Sequence, residues 1–260
     1  MERSVQSTMR QPNADISPQS IARLGGFCWL MCFLTSGFAM SVSTKLIVPR
    51  DAATTAANLL ANETLYQVST AALLTSGAFY IGATFFVYEV LKPVSPRLSL
   101  LAAIFSLVGC AIGALACLFD VAPFILLKGS HFGAVFTTQQ LQALTLMFLN
   151  VRVQANNIGL VFFGLHCFGV GYLIYRSTFL PRAIGALMMF AGVGWLTFVY
   201  PPLAKSLAPF NMMPGAIGEL SLTLWLLLKG VNLERWNAEA RSDVIRARSD
   251  AATQLVQSHA

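Results

Sequence analysis

The feature that most limits the fold of this chain is a series of six long apolar runs. They cover residues 21–44, 66–91, 98–118, 157–175, 182–200 and 210–228. A helix that crosses a lipid bilayer needs about 20 predominantly apolar residues. The sequence therefore predicts an all-α, polytopic membrane helix bundle with six transmembrane helices.

Composition agrees with this interpretation. Only 11% of the residues are charged and 56% are hydrophobic, whereas a soluble domain has about 25% charged residues. The net charge of +6 does not indicate nucleic-acid binding, because the basic residues lie at the ends of apolar runs rather than in one patch. All five cysteines lie inside apolar runs, which argues against disulfides and zinc sites.

The loops predict the orientation. With the N-terminus in the cytoplasm, twelve Lys and Arg residues fall on the inner side and five on the outer side, as the positive-inside rule requires. We expect a bacterial cytoplasmic (inner) membrane protein with both termini inside. Its parts would be a disordered N-terminus at 1–16, a transmembrane domain at 17–231, and a cytoplasmic tail at 232–260.

Two of the predicted outer connections have helical patterns of their own. Residues 49–65 indicate a short helix after a proline, which lies either at the interface or folded back on the bundle. Residues 137–152 have apolar side chains at helical spacing, and Thr137 with Gln140 resembles a capping box. A helix running on through the fourth span would be about 57 Å long, so we expect it to protrude, tilt or kink, with any kink near residues 156–159.

One carboxylate and one histidine are predicted at the middle of the membrane. Glu219 lies ten residues before Lys229, and His166 lies ten residues before Arg176, so both are about 15 Å from the inner ends of their helices. Groups of this kind usually face the bundle interior. We hypothesise a proton or ligand site made by Glu219, His166, Ser221 and Thr223, with Cys167 nearby. The alternative is a structural interhelical hydrogen bond.

A second polar cluster is predicted at the outer boundary. Asp120 ends the third span, while Arg152 and Asn156 precede the fourth. An Asp120–Arg152 ion pair would neutralise both charges, and with Asn156 it would form the mouth of a cavity. Solvation of these side chains at the headgroup level is the alternative.

Standard catalytic signatures are absent from the sequence. There is no HExxH, GxSxG or paired CxxC motif, and the chain has three histidines, so we predict no metal and no cofactor. Gly109 and Gly113 have the small-xxx-small spacing of close helix crossings. This spacing leaves open whether they pack inside one bundle or between two copies of the chain.

Several segments resemble a bacterial integral-membrane family known as domain of unknown function 4386. The resemblance covers residues 20–232 and is strongest in GLVFFGLHC, GYLIYRS and IGELSL, which include His166 and Glu219. It implies a multi-pass membrane protein without an established activity. Members of this family often have a charged residue in the third span, where this chain has the neutral Ser106 and Gly109.

Three functions follow from these observations. The first is a membrane protein that binds a small molecule or lipid at Glu219 and His166. The second is a structural or regulatory protein that acts through its cytoplasmic tail. The third, an intramembrane enzyme that uses the Glu219–His166 pair as acid and base, is favoured less than the two non-enzymatic functions.

Overall fold

The computed structural model describes residues 17–242, and this range is helical, with no strand. The predicted disordered segment 1–16 and most of the predicted tail, residues 243–260, lie outside the described residues. The helices are α1 (Pro18–Leu46), α2 (Ala52–Ala61), α3 (Glu63–Leu91), α4 (Pro96–Ala116), α5 (Leu118–Lys128), α6 (Ser130–Val135), α7 (Thr138–Arg176), α8 (Arg182–Leu196), α9 (Pro201–Leu207), α10 (Met213–Leu228) and α11 (Leu233–Ser242).

The helices form a polytopic bundle with five or six candidate membrane spans. Five are long and apolar enough by themselves: Pro18–Leu46, Glu63–Leu91, Pro96–Lys128, Thr138–Arg176 and Arg182–Val199. The predicted sixth span, Phe210–Leu228, qualifies together with α11, to which it is joined at an angle of 104°. The predicted fold class is therefore confirmed.

Local sequence sets several helix ends. Ser17 accepts a hydrogen bond from the Ser20 amide just before Pro18, which begins α1. The capping box predicted at Thr137 is present, since Thr137 and Gln140 exchange side-chain-to-backbone hydrogen bonds at the start of α7. Hydroxyl caps and a first-turn proline satisfy amide groups that have no partner within the helix.

Two long segments differ in detail from the sequence prediction. The third span does not end at residue 118, because after a break at Cys117 the chain turns directly into α5 and stays helical to Lys128. Asp120 therefore lies in the first turn of α5 rather than at the end of the span. Helix α7 spans 39 residues without interruption through residues 156–159, which corresponds to about 58 Å.

Glycines allow α7 and α8 to pack backbone against backbone. A Cβ on Gly164 would lie 3.0 Å from the carbonyl oxygen of Gly192, and one on Gly171 would lie 2.7 Å from that of Gly185. Because the partner number falls as the α7 number rises, the two helices are antiparallel. Small residues at such crossings are the usual means of close helix association in membranes.

Helices α3 and α7 run in the same direction and carry their polar side chains at matching levels. Tyr66 of α3 and Arg152 of α7 both contact Asp120. Tyr80 and His166, whose ring centroids are 6.0 Å apart, lie 14 residues further along each helix. Two polar levels are thus separated by about 21 Å along the bundle. We refer to the bundle end near Asp120 as the Asp120 end.

The start of the predicted tail packs on the opposite end of the bundle. Trp236 Nε1 donates a hydrogen bond to the carbonyl oxygen of Val90 over 2.9 Å. Arg235 donates to the carbonyl oxygen of Thr178, and Glu239 accepts from the hydroxyl and amide groups of Thr178. Helix α11 is therefore attached to the ends of α3 and α7.

Candidate functional site: a buried carboxyl group in the bundle

Close packing of α10 carries Glu219 into the bundle interior. On the side toward α8, a Cβ on Gly218 would lie 2.6 Å from the carbonyl oxygen of Leu187. On the side toward α1, Gly26 leaves room for Leu227 and Thr223. With helices this close on both sides, Glu219 is buried.

Two neutral donors hold one oxygen of the carboxyl group. Trp195 Nε1 of α8 donates to Glu219 Oε1 over 2.8 Å, and the Cys167 thiol of α7 donates to the same oxygen over 3.6 Å. The second oxygen, Oε2, accepts no hydrogen bond from any residue in the range 17–242, and within that range no Lys, Arg or His forms an ion pair with the group. One acceptor position of this buried carboxyl group is therefore open.

Three aromatic rings complete what we call the central cluster, which comprises Glu219, Trp195, Cys167, Trp29, Tyr80 and His166. The centroid separations are 5.7 Å for Trp29–Tyr80, 6.3 Å for Trp29–His166 and 6.0 Å for Tyr80–His166. Trp29 also faces the Glu219 carboxyl group, and Tyr80 faces the Cys167 thiol. Neither contact reaches hydrogen-bond geometry.

The tautomer of His166 follows from its one hydrogen bond. Its Nδ1 lies 2.9 Å from the carbonyl oxygen of Ala102. A carbonyl oxygen only accepts, so Nδ1 carries the proton, and Nε2 of the neutral ring is an acceptor. His166 therefore presents a lone pair rather than an N–H group on its other side.

Several buried polar atoms in the central cluster have no hydrogen-bond partner in the part of the chain that the structure describes. These atoms are Trp29 Nε1, Tyr80 Oη and His166 Nε2. Leaving a buried donor or acceptor unpaired costs about 1–3 kcal/mol, and such groups in native proteins usually bind protein atoms or ordered water. Together with Glu219 Oε2, the cluster offers two donors and two acceptors to a polar occupant.

Residual accessible surface differs among the residues in and beside the central cluster. Trp29, His166 and Cys167 keep 1% or less of their surface accessible. Four other residues keep between 6% and 8%: Cys32, Ser76, Tyr80 and Glu219. The bundle is therefore least tightly closed around the Glu219 carboxyl group and the facing parts of α1 and α3.

The sequence-predicted site residues have separate positions in the structure. Glu219 and His166 are both buried, but no hydrogen bond joins them in the described part of the chain. They are connected through Cys167, which follows His166 and donates to Glu219. Thr223 donates to the carbonyl oxygen of Glu219, and Ser221 to that of Ile217, so both hydroxyls bond within α10.

Sequence reasoning missed three members of the central cluster: Trp29, Tyr80 and Trp195. Each lies inside an apolar run, where an aromatic residue is normally an apolar contact. A usable signal was present, because Trp and Tyr carry a polar atom that usually finds a partner when buried.

At the Asp120 end, Asp120 pairs with Arg152 as the sequence suggested. Arg152 Nε lies 3.2 Å from Asp120 Oδ1, and the Tyr66 hydroxyl donates to the same oxygen over 2.5 Å. Asp120 is only 2% exposed, so solvation at the headgroup level does not account for it. Asp120 Oδ2 has no partner. Asn156 is partly buried one turn beyond Arg152 and forms no side-chain hydrogen bond within residues 17–242.

An open cleft of about 430 Å³ also lies at the Asp120 end, between α2 and the first half of α7. None of its residues belongs to the central cluster. Its lining is mainly apolar and comprises Ala52, Ala143, Leu146, Met147, Asn150, Val151 and Gln154. Within residues 17–242, no three His, Cys, Asp or Glu side chains are grouped so that they could hold a metal ion.

Two sequence comparisons relate this chain to known sequences. The family model described as Domain of unknown function (DUF4386) matches residues 24–230, which confirms the resemblance found in the sequence. An uncharacterized protein of Archaeoglobus fulgidus is 28% identical over 150 residues, covering 56% of this chain and 74% of the relative. Similarity to this chain thus extends to an archaeon. No solved structure matches the chain.

Proposed function

We propose that this chain, which belongs to the family described as Domain of unknown function (DUF4386), binds a small polar molecule in the central cluster. The protein would act as a multi-pass protein of the cytoplasmic membrane with both termini inside. Glu219 is the main binding group, while Trp29, Tyr80 and His166 complete the site.

The observation that carries this proposal is the set of unpaired polar atoms around one carboxyl group. Trp29 Nε1 and Tyr80 Oη are buried without a partner among residues 17–242, and Glu219 Oε2 accepts no hydrogen bond there, although the three residues belong to three packed helices. Trp29 faces the carboxyl group without reaching hydrogen-bond geometry, so the contacts among the described residues leave these groups free to bind another molecule.

The chemistry of these atoms defines the occupant. Trp29 Nε1 needs an acceptor, and Glu219 Oε2 and His166 Nε2 need donors. Tyr80 serves as either. A compact molecule with both a carbonyl or hydroxyl oxygen and an N–H or O–H group satisfies all of them, either as a free metabolite or as the headgroup of a lipid.

Native mass spectrometry of the purified protein tests this proposal. We expect a defined mass on the wild type that is lost in Glu219→Gln and reduced in Tyr80→Phe, which removes a single hydroxyl group. Glu63→Gln is the matched control, because Glu63 pairs with Lys128 away from the cluster. The mass of the occupant distinguishes a free metabolite from a lipid.

Identical spectra for the wild type and both variants, with all proteins folded, would overturn the binding site. If Glu219→Gln does not fold, Tyr80→Phe decides the question, because its ring still fills the same space.

A second candidate is the structural or regulatory function of the C-terminal region. The observation that favours it is the docking of α11 through Trp236 and Arg235. Deleting residues 243–260 while keeping α11 would then remove partner binding without unfolding the bundle. A pull-down from membranes with the full chain and with this deletion compares the two.

A further inference from the structure

One face of α3 is lined with hydroxyl groups between the two polar levels. Five residues are buried on α3 from Tyr66 to Tyr80, and each carries a hydroxyl group: Tyr66, Ser69, Thr70, Ser76 and Tyr80. Beyond Tyr80 the buried face changes to mainly apolar residues, including Ala83, Val87 and Val90. The Ser69 and Thr70 hydroxyl groups both donate to the carbonyl oxygen of Tyr66, and their oxygen atoms can still accept a hydrogen bond.

Helix α1 supplies polar groups that extend the row. The Ser76 hydroxyl lies 3.1 Å from the Cys32 thiol. One turn toward the Asp120 end, Ser36 is partly buried, and its hydroxyl bonds the Cys32 carbonyl oxygen. Helices α1 and α3 are antiparallel here, with Trp29 opposite Tyr80 and Val42 beside Tyr66. Ser36 is therefore level with the interval between Thr70 and Ser76.

Each end of the row has an acid. At one end Tyr66 donates to Asp120, whose Oδ2 has no partner. At the other end Tyr80 lies in the central cluster with an unpaired hydroxyl group. The row covers about 21 Å of helix.

We propose that this hydroxyl row is a water-filled proton path that connects the Asp120 end with Glu219. Hydroxyl groups both donate and accept, so water molecules placed between them form a chain of hydrogen bonds. A hydronium ion at the Asp120 end gives up a proton, each oxygen passes one on, and the Glu219 carboxylate takes up the last. The hydronium ion becomes water, and no other group changes its charge.

The surroundings of Glu219 favour entry from the Asp120 end. The titratable groups that face the cluster are Cys32 from α1, Tyr80 from α3, Cys110 from α4, and His166 and Cys167 from α7. On the opposite side, Val87, Val90 and Leu91 close the bundle with apolar side chains. Acids and basic residues within the membrane often mark proton relays.

A stopped-flow pH jump on the protein in lipid nanodiscs tests the path. Trp29 and Trp195 adjoin the carboxyl group, so their fluorescence reports its protonation. The signal is the part of the fluorescence change that the wild type shows and the Glu219→Gln variant lacks. We expect Ser76→Ala and Tyr66→Phe to slow this signal about tenfold, which corresponds to 1.36 kcal/mol in the barrier.

Thr75→Ala is the matched control, because Thr75 is the neighbour of Ser76 on the exposed face and bonds only to the carbonyl oxygen of Ala71. It should leave the rate unchanged. Equal rates in the wild type, Ser76→Ala and Tyr66→Phe would overturn the path, as would the absence of any Glu219-dependent signal.

Discussion

Trp195 reaches Glu219 across the α8–α10 contact only because residue 215 is a glycine. The indole Nε1 donates to Oε1 over 2.8 Å, and the same ring contacts the position that a Cβ of residue 215 would occupy. One small residue on α10 thus allows a side chain from α8 to hold the carboxyl group one turn further along.

Gly215→Ala should therefore displace the Trp195 ring and break its hydrogen bond to Glu219. Overpacking of this kind costs about 1–3 kcal/mol. We expect a lower unfolding temperature in detergent and a change in tryptophan fluorescence.

Gly113→Ala is the matched control, because no atom lies within 4 Å of its missing Cβ. It should not reduce stability, since alanine is favoured over glycine in a helix by about 1 kcal/mol. A monomer–dimer shift in Gly113→Ala would instead identify this glycine as a contact between two copies of the chain. Equal destabilisation by both substitutions would contradict the local explanation.

The second prediction concerns the ion pair at the Asp120 end. Replacing Asp120 with Leu leaves the largely buried Arg152 without its carboxylate, and breaking a buried pair from one side costs about 3–5 kcal/mol. Arg152→Leu, Asp120→Leu and the double variant form a thermodynamic cycle. Unfolding of the four proteins in detergent should show non-additive losses.

Tyr66→Phe should be milder in the same assay, because it removes one hydrogen bond, worth about 0.5–1.5 kcal/mol. Additive losses across the Asp120–Arg152 cycle would show that the two side chains do not stabilise each other.

The third prediction is a pH effect at the start of α2. The backbone N–H of Thr54, and next its hydroxyl group, donate to Asp51 and hold the pKa of that carboxyl group below its ordinary value. Asp51 is more acidic in the folded chain than in the unfolded one, so its contribution to stability is complete above the unfolded pKa. It is lost as the pH falls through the lower, folded pKa.

Hydrogen exchange at the Thr54 amide should therefore reveal opening of the α2 N-terminus in acid, after correction for the intrinsic exchange rate. Asp51→Asn keeps a capping side chain without a titratable group and should remove this pH dependence. The same acid response in both proteins would assign it to another group.

The fourth prediction tests the attachment of α11. Trp236→Phe removes the hydrogen bond to the carbonyl oxygen of Val90 but keeps an aromatic ring. We expect faster tryptic cleavage after Arg241 in the folded protein. Glu234→Ala is the control, because Glu234 is exposed and forms no side-chain hydrogen bond within residues 17–242. Equal cleavage rates in both variants would show that Trp236 does not hold α11.

The sequence predicted the helices well because length and hydropathy alone determine what crosses a bilayer. It also placed Glu219 and His166 at similar depth, since depth depends only on the residue count from a charged helix end. Which direction each side chain faces around its helix depends on how the helices pack. His166 therefore bonds Ala102 rather than Glu219, a partner that no count along one helix reveals.

The ion pair Asp120–Arg152 was predictable because opposite charges at one membrane boundary have few other partners. Its third member, Tyr66, was not, because it begins an apolar run and comes from a different span. The aromatic members of the central cluster share this property. Their polar atoms become functional candidates only when the packing shows which hydrogen bonds are missing.

The matching levels on α3 and α7 also restrict how chains of this kind can change in length. Inserting one residue between Tyr66 and Tyr80 would rotate one level relative to the other by about 100° around α3. Either Tyr66 would then lose its place beside Asp120, or Tyr80 would lose its place in the central cluster. To keep both polar levels aligned, an insertion or deletion between Tyr66 and Tyr80 on α3 would need an equal one between Arg152 and His166 on α7. The lengths of these two helical segments can therefore change only together.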